Sequence, residues 1–324
     1  MIGGGSWATA LVKILTDNNY QVTWWMRNET AIEHLKKYAN NPNYLSSVNL
    51  NMKLITLSHD LNETLKENDL MILAVPAAFL KTTLATADSK YLEGKILVSA
   101  IKGIVPEDNL IIGEFLHKTY FMPFENLIVI SGPCHAEEVA LEKLSYLTLA
   151  CQDVIKATEF GAMLENRYIK TNVIDDIYGT EYSAVLKNIY AIASGICKGL
   201  GYGDNFQAVL ISNAIQEIKS FVDVVHPISR DIKGSAYLGD LLVTAYSPFS
   251  RNRTFGQLIG LGHSVKSAQL EMNMIAEGYY AVGCMHIINR HYKVEMPICR
   301  AVYAILYENI SAKMEMHLLE DLLC

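Results

Sequence analysis

The longest apolar pattern of helical period lies over residues 181–198, where Val185, Ile189, Ile192 and Ile196 recur on one face. Thr180 stands where it can cap that helix. The one charge in its interior is Lys187, and the residues about one turn away, Ser183, Ala184 and Ala191, are all small. Small side chains let another segment or a ligand approach the backbone closely, which sets this lysine apart from one on an ordinary charged face. The alternative is a lysine snorkelling to solvent from the edge of a buried helix.

Upstream the period changes. Short apolar, β-branched runs at 21–25, 53–57, 70–75, 96–100, 127–131 and 146–151 predict strands, and helical patterns such as 79–85 and 108–116 separate several of them. Strands alternating with helices imply an α/β fold with a Rossmann-like, doubly wound, mostly parallel sheet. After about Asp176 the strand signal stops. Residues 181–198, 206–224, 238–246, 253–261, 265–270, 276–289, 299–306 and 314–322 all read as helical. The expected organisation is therefore a dinucleotide-binding domain over 1–175 and an all-helical substrate and catalytic domain over 176–324. No internal repeat or low-complexity linker is evident.

The chain opens Met1-Ile2-Gly3-Gly4-Gly5-Ser6-Trp7-Ala8. Gly3, Gly5 and Ala8 fit G-x-G-x-x-G/A. Gly3 would make the tight turn, Gly5 would admit a pyrophosphate against backbone N–H groups, and Ala8 would let helix pack on strand. Only Met1 and Ile2 precede Gly3, so the first strand is expected to be truncated to one or two residues. At the end of the second strand Arg27 and Asn28 stand where a carboxylate would bind the ribose of NAD; a guanidinium suits a 2′-phosphate. Lys102 and the loop from Ser131 to Ala136 follow strands, where ligands of such sheets bind. In the helical part Asp240 and Thr244 share a helix face. Ser250 is a natural N-cap that puts Arg251 and Asn252 in the first turn. Arginines there oppose the helix dipole, which makes sense if they meet a bound anion.

Bulk properties narrow the class. The 324 residues are 51% hydrophobic and 19% charged, enough for two domains with sizeable cores. A net charge of −7 and the lack of a basic, aromatic-interleaved stripe disfavour nucleic-acid binding. The six cysteines form no C-x-x-C pair and no metal-ligand spacing, so no metal is expected. No apolar run is long enough to span a membrane, and there is no secretory signal. A reduced, cytoplasmic setting is the simplest account.

In combination, Gly3-x-Gly5-Ser6-Trp7-Ala8-Thr9, Lys102-Gly103, Ser131-Gly132-Pro133, Leu186-Lys187-Asn188, Gly239-Asp240-Leu241, Ser250-Arg251-Asn252, Glu277-Gly278-Tyr279 and Glu295-Met296-Pro297-Ile298 resemble the bacterial-type NAD(P)-dependent glycerol-3-phosphate dehydrogenases. The resemblance runs from Gly3 to about Asn309. It implies an oxidoreductase, a cytoplasmic homodimer, that interconverts dihydroxyacetone phosphate and sn-glycerol 3-phosphate with NAD(P)H for phospholipid synthesis. It implies cofactor contacts at Gly3, Gly5, Ser6, Trp7, Arg27, Lys102, Ala136, Arg251, Ile275 and Glu277. Substrate contacts are implied at Lys102, Gly132, Cys134, Lys187, Asn188, Asp240, Thr244, Ser250, Arg251 and Asn252. Lys187 corresponds to the proton acceptor, with Asp240 and Lys102 beside it in the catalytic set. Cys134 stands where threonine is frequent and His135 where an aromatic is frequent. Cysteine is the poorer hydrogen-bond partner, so a side-chain role there is in doubt while a backbone contact would survive.

The residues themselves fit alcohol oxidation, which needs a hydride acceptor and a base. Burial and Lys102 would lower the pKa of Lys187, and Asp240 would raise it. Two other readings remain open: a related two-domain dehydrogenase acting on a hydroxy acid or phosphogluconate, and a non-catalytic NAD(P)-binding regulator.

Overall fold

The computed structural model describes residues 1–272 and 276–324. Among them are nine short strands: β1 (Val22–Trp25), β2 (Ile55–Ser58), β3 (Leu70–Leu73), β4 (Ile96–Ser99), β5 (Ile104–Val105), β6 (Leu110–Ile111), β7 (Leu127–Ser131), β8 (Ser145–Ala150) and β9 (Ile169–Ile174). The chain forms two compact units, residues 1–101 with 112–177, and residues 102–111 with 178–324.

The first unit is a sheet with helices. β3, β4, β7, β8 and β9 are neighbours in that order; β1 pairs with β2. All pairings are parallel except β7 with β8. Ile2 joins the two parts: it bridges Trp25 on one side and Leu73 on the other, both in parallel. Its N–H donates to Ile72 O, its carbonyl accepts from Ala74 N, and Gly3 N donates to Trp25 O. The first strand is thus a single bridging residue at the centre of the sheet: Ile2 pairs with Ile72 and Ala74, while Met1 O and Gly3 N pair with the N–H and carbonyl of Trp25. Central strands such as β7 are buried throughout, as sheets covered on both faces require.

β9 does not follow the strand reading, which ended at residue 151. Its Lys170, Thr171 and Asn172 break the apolar run, and only its pairing with β8 makes it a strand. The helical reading of 108–116 is also corrected. Leu110–Ile111 pairs back antiparallel on Ile104–Val105, Asn109 adopts the left-handed conformation of a turn, and the helix starts at Ile112.

The second unit is helical apart from that hairpin. Its central helix runs Ile177–Leu200, so Thr180 lies inside it, fully buried, rather than capping it. Buried positions continue back to Ile177, and the helix extends with them. Around it stand Asp204–Val225, Asp240–Tyr246, Arg251–Gly260, Val265–Glu271, Glu277–Tyr292, Pro297–Tyr307 and Ala312–Glu320. Two glycine pairs bring the central helix onto Arg251–Gly260. A Cβ on Gly195 would stand 2.1 Å from Arg253 O, and one on Gly256 would stand 2.1 Å from Ile192 O. Gly199 and Gly260 meet the opposite helix in the same way. The two backbones touch with no side chain between them.

Candidate active site

In the first unit the glycine loop leads into the helix Ser6–Asp17. Gly3 has φ +120°, and a Cβ there would stand 2.4 Å from Ala74 O, so only glycine fits. The loop is held from behind: Trp24 Nε1 donates to Gly3 O at 2.6 Å, and Asn41 Nδ2 donates to Gly4 O and to Thr9 Oγ1. At Gly5 a Cβ would meet nothing within 4 Å. The helix start has neither a capping side chain nor an acidic residue in its first turn. Trp7 Nε1 is buried without a partner. A preorganised loop, open space at Gly5, uncapped N–H groups and an unused indole N–H fit the pyrophosphate of a dinucleotide.

Arg27 is exposed directly after β1, and Asn28 caps the next helix by accepting from Ala31 N. Gly132 has φ +105° and packs against Tyr146 O, to which Cys134 Sγ donates at 3.2 Å. The Cys134 thiol is therefore spent on the protein backbone, and Ala136 begins the short helix that follows.

In the second unit the other residues converge. Lys187 Nζ lies 2.5 Å from Asp240 Oδ1 and 3.0 Å from Thr244 Oγ1. Lys102 Nζ lies 3.0 Å from Asp240 Oδ2, and Lys102 O accepts from Asn188 Nδ2. Asp240 is 1% exposed and Lys187 5%, so this cluster titrates out of bulk solvent. Burial lowers the pKa of Lys187 to about 7, with Asp240 opposing and Lys102 assisting. Burial pushes the Asp240 carboxyl up, but the two lysines outweigh it and hold the pKa below the usual carboxylate value. Two ammonium groups thus share one carboxylate, and Lys187 can give up its proton while Asp240 remains paired with Lys102.

A π-helical turn, Ser235–Gly239, delivers Asp240 to the start of its helix; such turns recur at functional sites. Ser250 caps Arg251–Gly260 by accepting from Arg253 N. Arg251 is exposed in that first turn, whereas Asn252 is buried and accepts from Gly278 N at 2.9 Å. Glu277, half-buried, opens the helix Glu277–Tyr292. Ile275 lies outside the described residues.

Sequence reasoning missed Glu217. This carboxylate, 5% exposed, accepts from Ile298 N, Cys299 N and Tyr190 Oη. It thereby ties the start of Pro297–Tyr307 to the Lys187 helix. A lone glutamate inside an apolar helical stretch was the available signal.

Two family models match the chain: the NAD-dependent glycerol-3-phosphate dehydrogenase N-terminus over residues 1–157 and the C-terminus over residues 176–317. The chain belongs to the NAD-dependent glycerol-3-phosphate dehydrogenase family. Membership makes it an oxidoreductase with NAD(P)H as cofactor. A glycerol-3-phosphate dehydrogenase [NAD(P)+] of Bacillus velezensis is 33% identical, covering 99% of this chain and 96% of the relative. The one from Staphylococcus carnosus is 32% identical over 96% and 93%. Among solved structures, glycerol-3-phosphate dehydrogenase from Coxiella burnetii superposes with a TM-score of 0.91 at 27% identity, covering 98% and 97% of the two chains. A D-mandelate dehydrogenase shares the fold at a TM-score of 0.61 and 16% identity.

Proposed function

We propose that the protein interconverts dihydroxyacetone phosphate and sn-glycerol 3-phosphate, with Lys187 as the general acid and base. One observation carries this reading: a nearly buried lysine with a pKa of about 7 shares the carboxylate of Asp240 with Lys102. Such a lysine is charged and neutral in comparable amounts near neutrality, which suits proton transfer in both directions.

In this reading residues 1–175 hold the cofactor and residues 176–324 carry the substrate chemistry. Gly3, Gly5, Ser6 and Trp7 bind the pyrophosphate, Arg27 the ribose end, and Ala136, Glu277 and Ile275 further parts of the cofactor. A nicotinamide held there would supply the hydride for ketone reduction and take it up in alcohol oxidation. Lys187 donates a proton to the carbonyl oxygen as the alkoxide forms, and Asp240 steadies the ammonium that must be present first. Thr244, hydrogen-bonded to Lys187, fixes the direction of Nζ. Lys102 and Asn188, linked through the Lys102 carbonyl, orient the substrate hydroxyls. Ser250, Arg251 and Asn252 bind the phosphate; for Gly132 and Cys134 the family resemblance implies substrate contacts. Since the Cys134 thiol already bonds Tyr146 O, its contribution is through the main chain.

The reading extends to a cytoplasmic homodimer that feeds phospholipid synthesis, on the strength of the family resemblance. No described helix is long and apolar enough to cross a membrane. The deciding assay follows NADPH and NADH oxidation with dihydroxyacetone phosphate beside 2-oxo acids. Turnover confined to the phosphorylated ketone is the expected result; equal or better turnover of a 2-oxo acid, or none at all, overturns the proposal.

A further inference from the structure

Asn41 is 1% exposed although it is a polar residue in the connection after the helix Glu29–Tyr38. Both N–H groups and both lone pairs of its side-chain amide are used. Oδ1 accepts from Asn43 N at 3.1 Å and from Tyr44 N at 3.3 Å, which folds its own loop into a turn. Nδ2 donates to Gly4 O at 3.0 Å and to Thr9 Oγ1 at 2.9 Å, 37 and 32 positions back in the chain. The connection is closed at its base, where Leu50 N donates to Ala39 O at 2.8 Å, and Asn40 Nδ2 braces it by donating to Ser46 O. Asn41 is therefore a pin between a self-folded loop and the glycine loop.

The pin acts on carbonyls. Gly3 O accepts from Trp24 Nε1, Gly4 O from Asn41 Nδ2, and Gly5 O from Thr9 Oγ1 at 3.0 Å; Thr9 Oγ1 is itself held by Asn41. A trans peptide points its C=O and the following N–H in opposite directions. Holding these carbonyls therefore turns the N–H groups of Gly4, Gly5 and Ser6 away from the side chains behind the loop. Gly4 N and Gly5 N donate to no backbone oxygen among the described residues. Glycine has little preference of its own between peptide orientations, so three successive glycines need such clamps to keep one.

We propose that Asn41 is a positioning residue for the cofactor. It fixes the Gly4–Gly5 peptide directly and the Gly5–Ser6 peptide through Thr9, and so presets the N–H groups that would meet the pyrophosphate. Preorganisation of this kind strengthens binding by removing the cost of ordering the loop. The inference rests on the reading above that the glycine loop receives the pyrophosphate, and not on the substrate assigned there. NADH and NADPH share that pyrophosphate, so Asn41 sets the affinity for both alike, whereas Arg27 is the residue that distinguishes them.

The test measures Kd for NADPH and for NADH on the whole chain by fluorescence titration, with KM for dihydroxyacetone phosphate at saturating cofactor beside it. Asn41→Ala should weaken both cofactors by a common factor of about ten, the worth of one or two hydrogen bonds, and leave that KM nearly unchanged. Thr9→Val keeps the shape of a buried side chain and removes the relay; it should weaken both cofactors several-fold, and Thr9→Ser should restore the parent affinity. A merely structural role would lower Tm without shifting the two Kd values together. Gly5→Val separates this inference from the reading beneath it. The backbone of Gly5 is extended and a Cβ there meets nothing within 4 Å, so the valine enters only the space assigned to the pyrophosphate. Unchanged cofactor affinity in Gly5→Val would take the pyrophosphate away from the loop, and this inference with it. Affinity lost in Gly5→Val but kept in both Asn41→Ala and Thr9→Val overturns the role of Asn41 alone, as does a loss confined to one of the two cofactors.

Discussion

Lys187 and Lys102 lie on opposite oxygens of the same carboxylate, so the charge state of one sets the proton affinity of the other. Lys187 is the nearly buried member, and the half-buried Lys102 lowers its pKa. The pH dependence follows. Ketone reduction needs protonated Lys187, so kcat/KM for reduction should fall as pH rises through about 7, and for alcohol oxidation it should rise there. Lys102→Met removes a neighbouring positive charge and should move both inflections to higher pH. An unmoved inflection in that variant means that the group titrating is not Lys187. Lys187→Ala should lower kcat by about 10²–10⁴ with cofactor binding retained.

Arg251 presents its charge at an exposed first turn, so its part is read as ground-state binding of phosphate. Losing uniform binding raises KM and leaves kcat nearly unchanged. Arg251→Ala should therefore raise KM for dihydroxyacetone phosphate and matter little for dihydroxyacetone itself. KM for NADPH is measured alongside, since a cofactor contact is also proposed for this residue. Equal loss with the two ketones would remove Arg251 from the phosphate site.

Arg27 is exposed just beyond β1, with no acidic neighbour before Glu29. Arg27→Asp should shift preference from NADPH toward NADH by repelling the 2′-phosphate. The ratio of kcat/KM for the two cofactors is the measure; a constant ratio means the side chain does not reach the ribose.

Burial raises the Glu217 carboxyl from 4.5 to about 7 despite its backbone hydrogen bonds. Between these two values the folded chain holds a proton that the unfolded chain has released. Stability contributed by this group is therefore present below about 4.5 and lost as pH rises to about 7, a cost of about 3 kcal/mol. Glu217→Gln removes that dependence. Relative to the parent, the variant should gain thermal stability between pH 5 and pH 8, and a gap that does not change with pH contradicts the raised pKa.

The contact of Ile192 with Gly256 leaves no room for a methyl group. Gly256→Ala should destabilise by about 1–3 kcal/mol, as overpacking does, despite the better helix propensity of alanine. Chemical denaturation gives the value. A stabilised variant would mean that the two helices can separate without penalty.

Much of this was legible where one physical signal dominates. Helical periodicity located the eight helices read in the second unit, because each buries one continuous apolar face. The G-x-G-x-x-A spacing located a loop whose first glycine, Gly3, admits no other residue. Lys187 stood out because small residues surround it. What escaped depends on partners far away in sequence. β9 is a strand only because β8 pairs with it, and the hairpin at 104–111 looks helical until its turn residue is seen. Lys102 belongs with the helical unit although it follows a sheet strand, so the single boundary at 175 does not describe it. Glu217 and the paired glycines at 195, 199, 256 and 260 act across helices, and no local window contains both sides of such a contact.

Ile2 is both the splice that makes one sheet out of two and the residue before the first glycine of the loop. Sheet integrity and loop order are therefore a single cooperative event. Opening the ladder at Trp25 and Ala74 must disorder Gly3, and whatever grips the loop must close the ladder. In linkage terms, a dinucleotide held at this loop, as proposed above, would lend its binding free energy to the seam of the sheet, by RT ln(1 + [L]/Kd). The amides along that seam then report cofactor occupancy, and the apparent cohesion of the first unit varies with the nucleotide concentration around it.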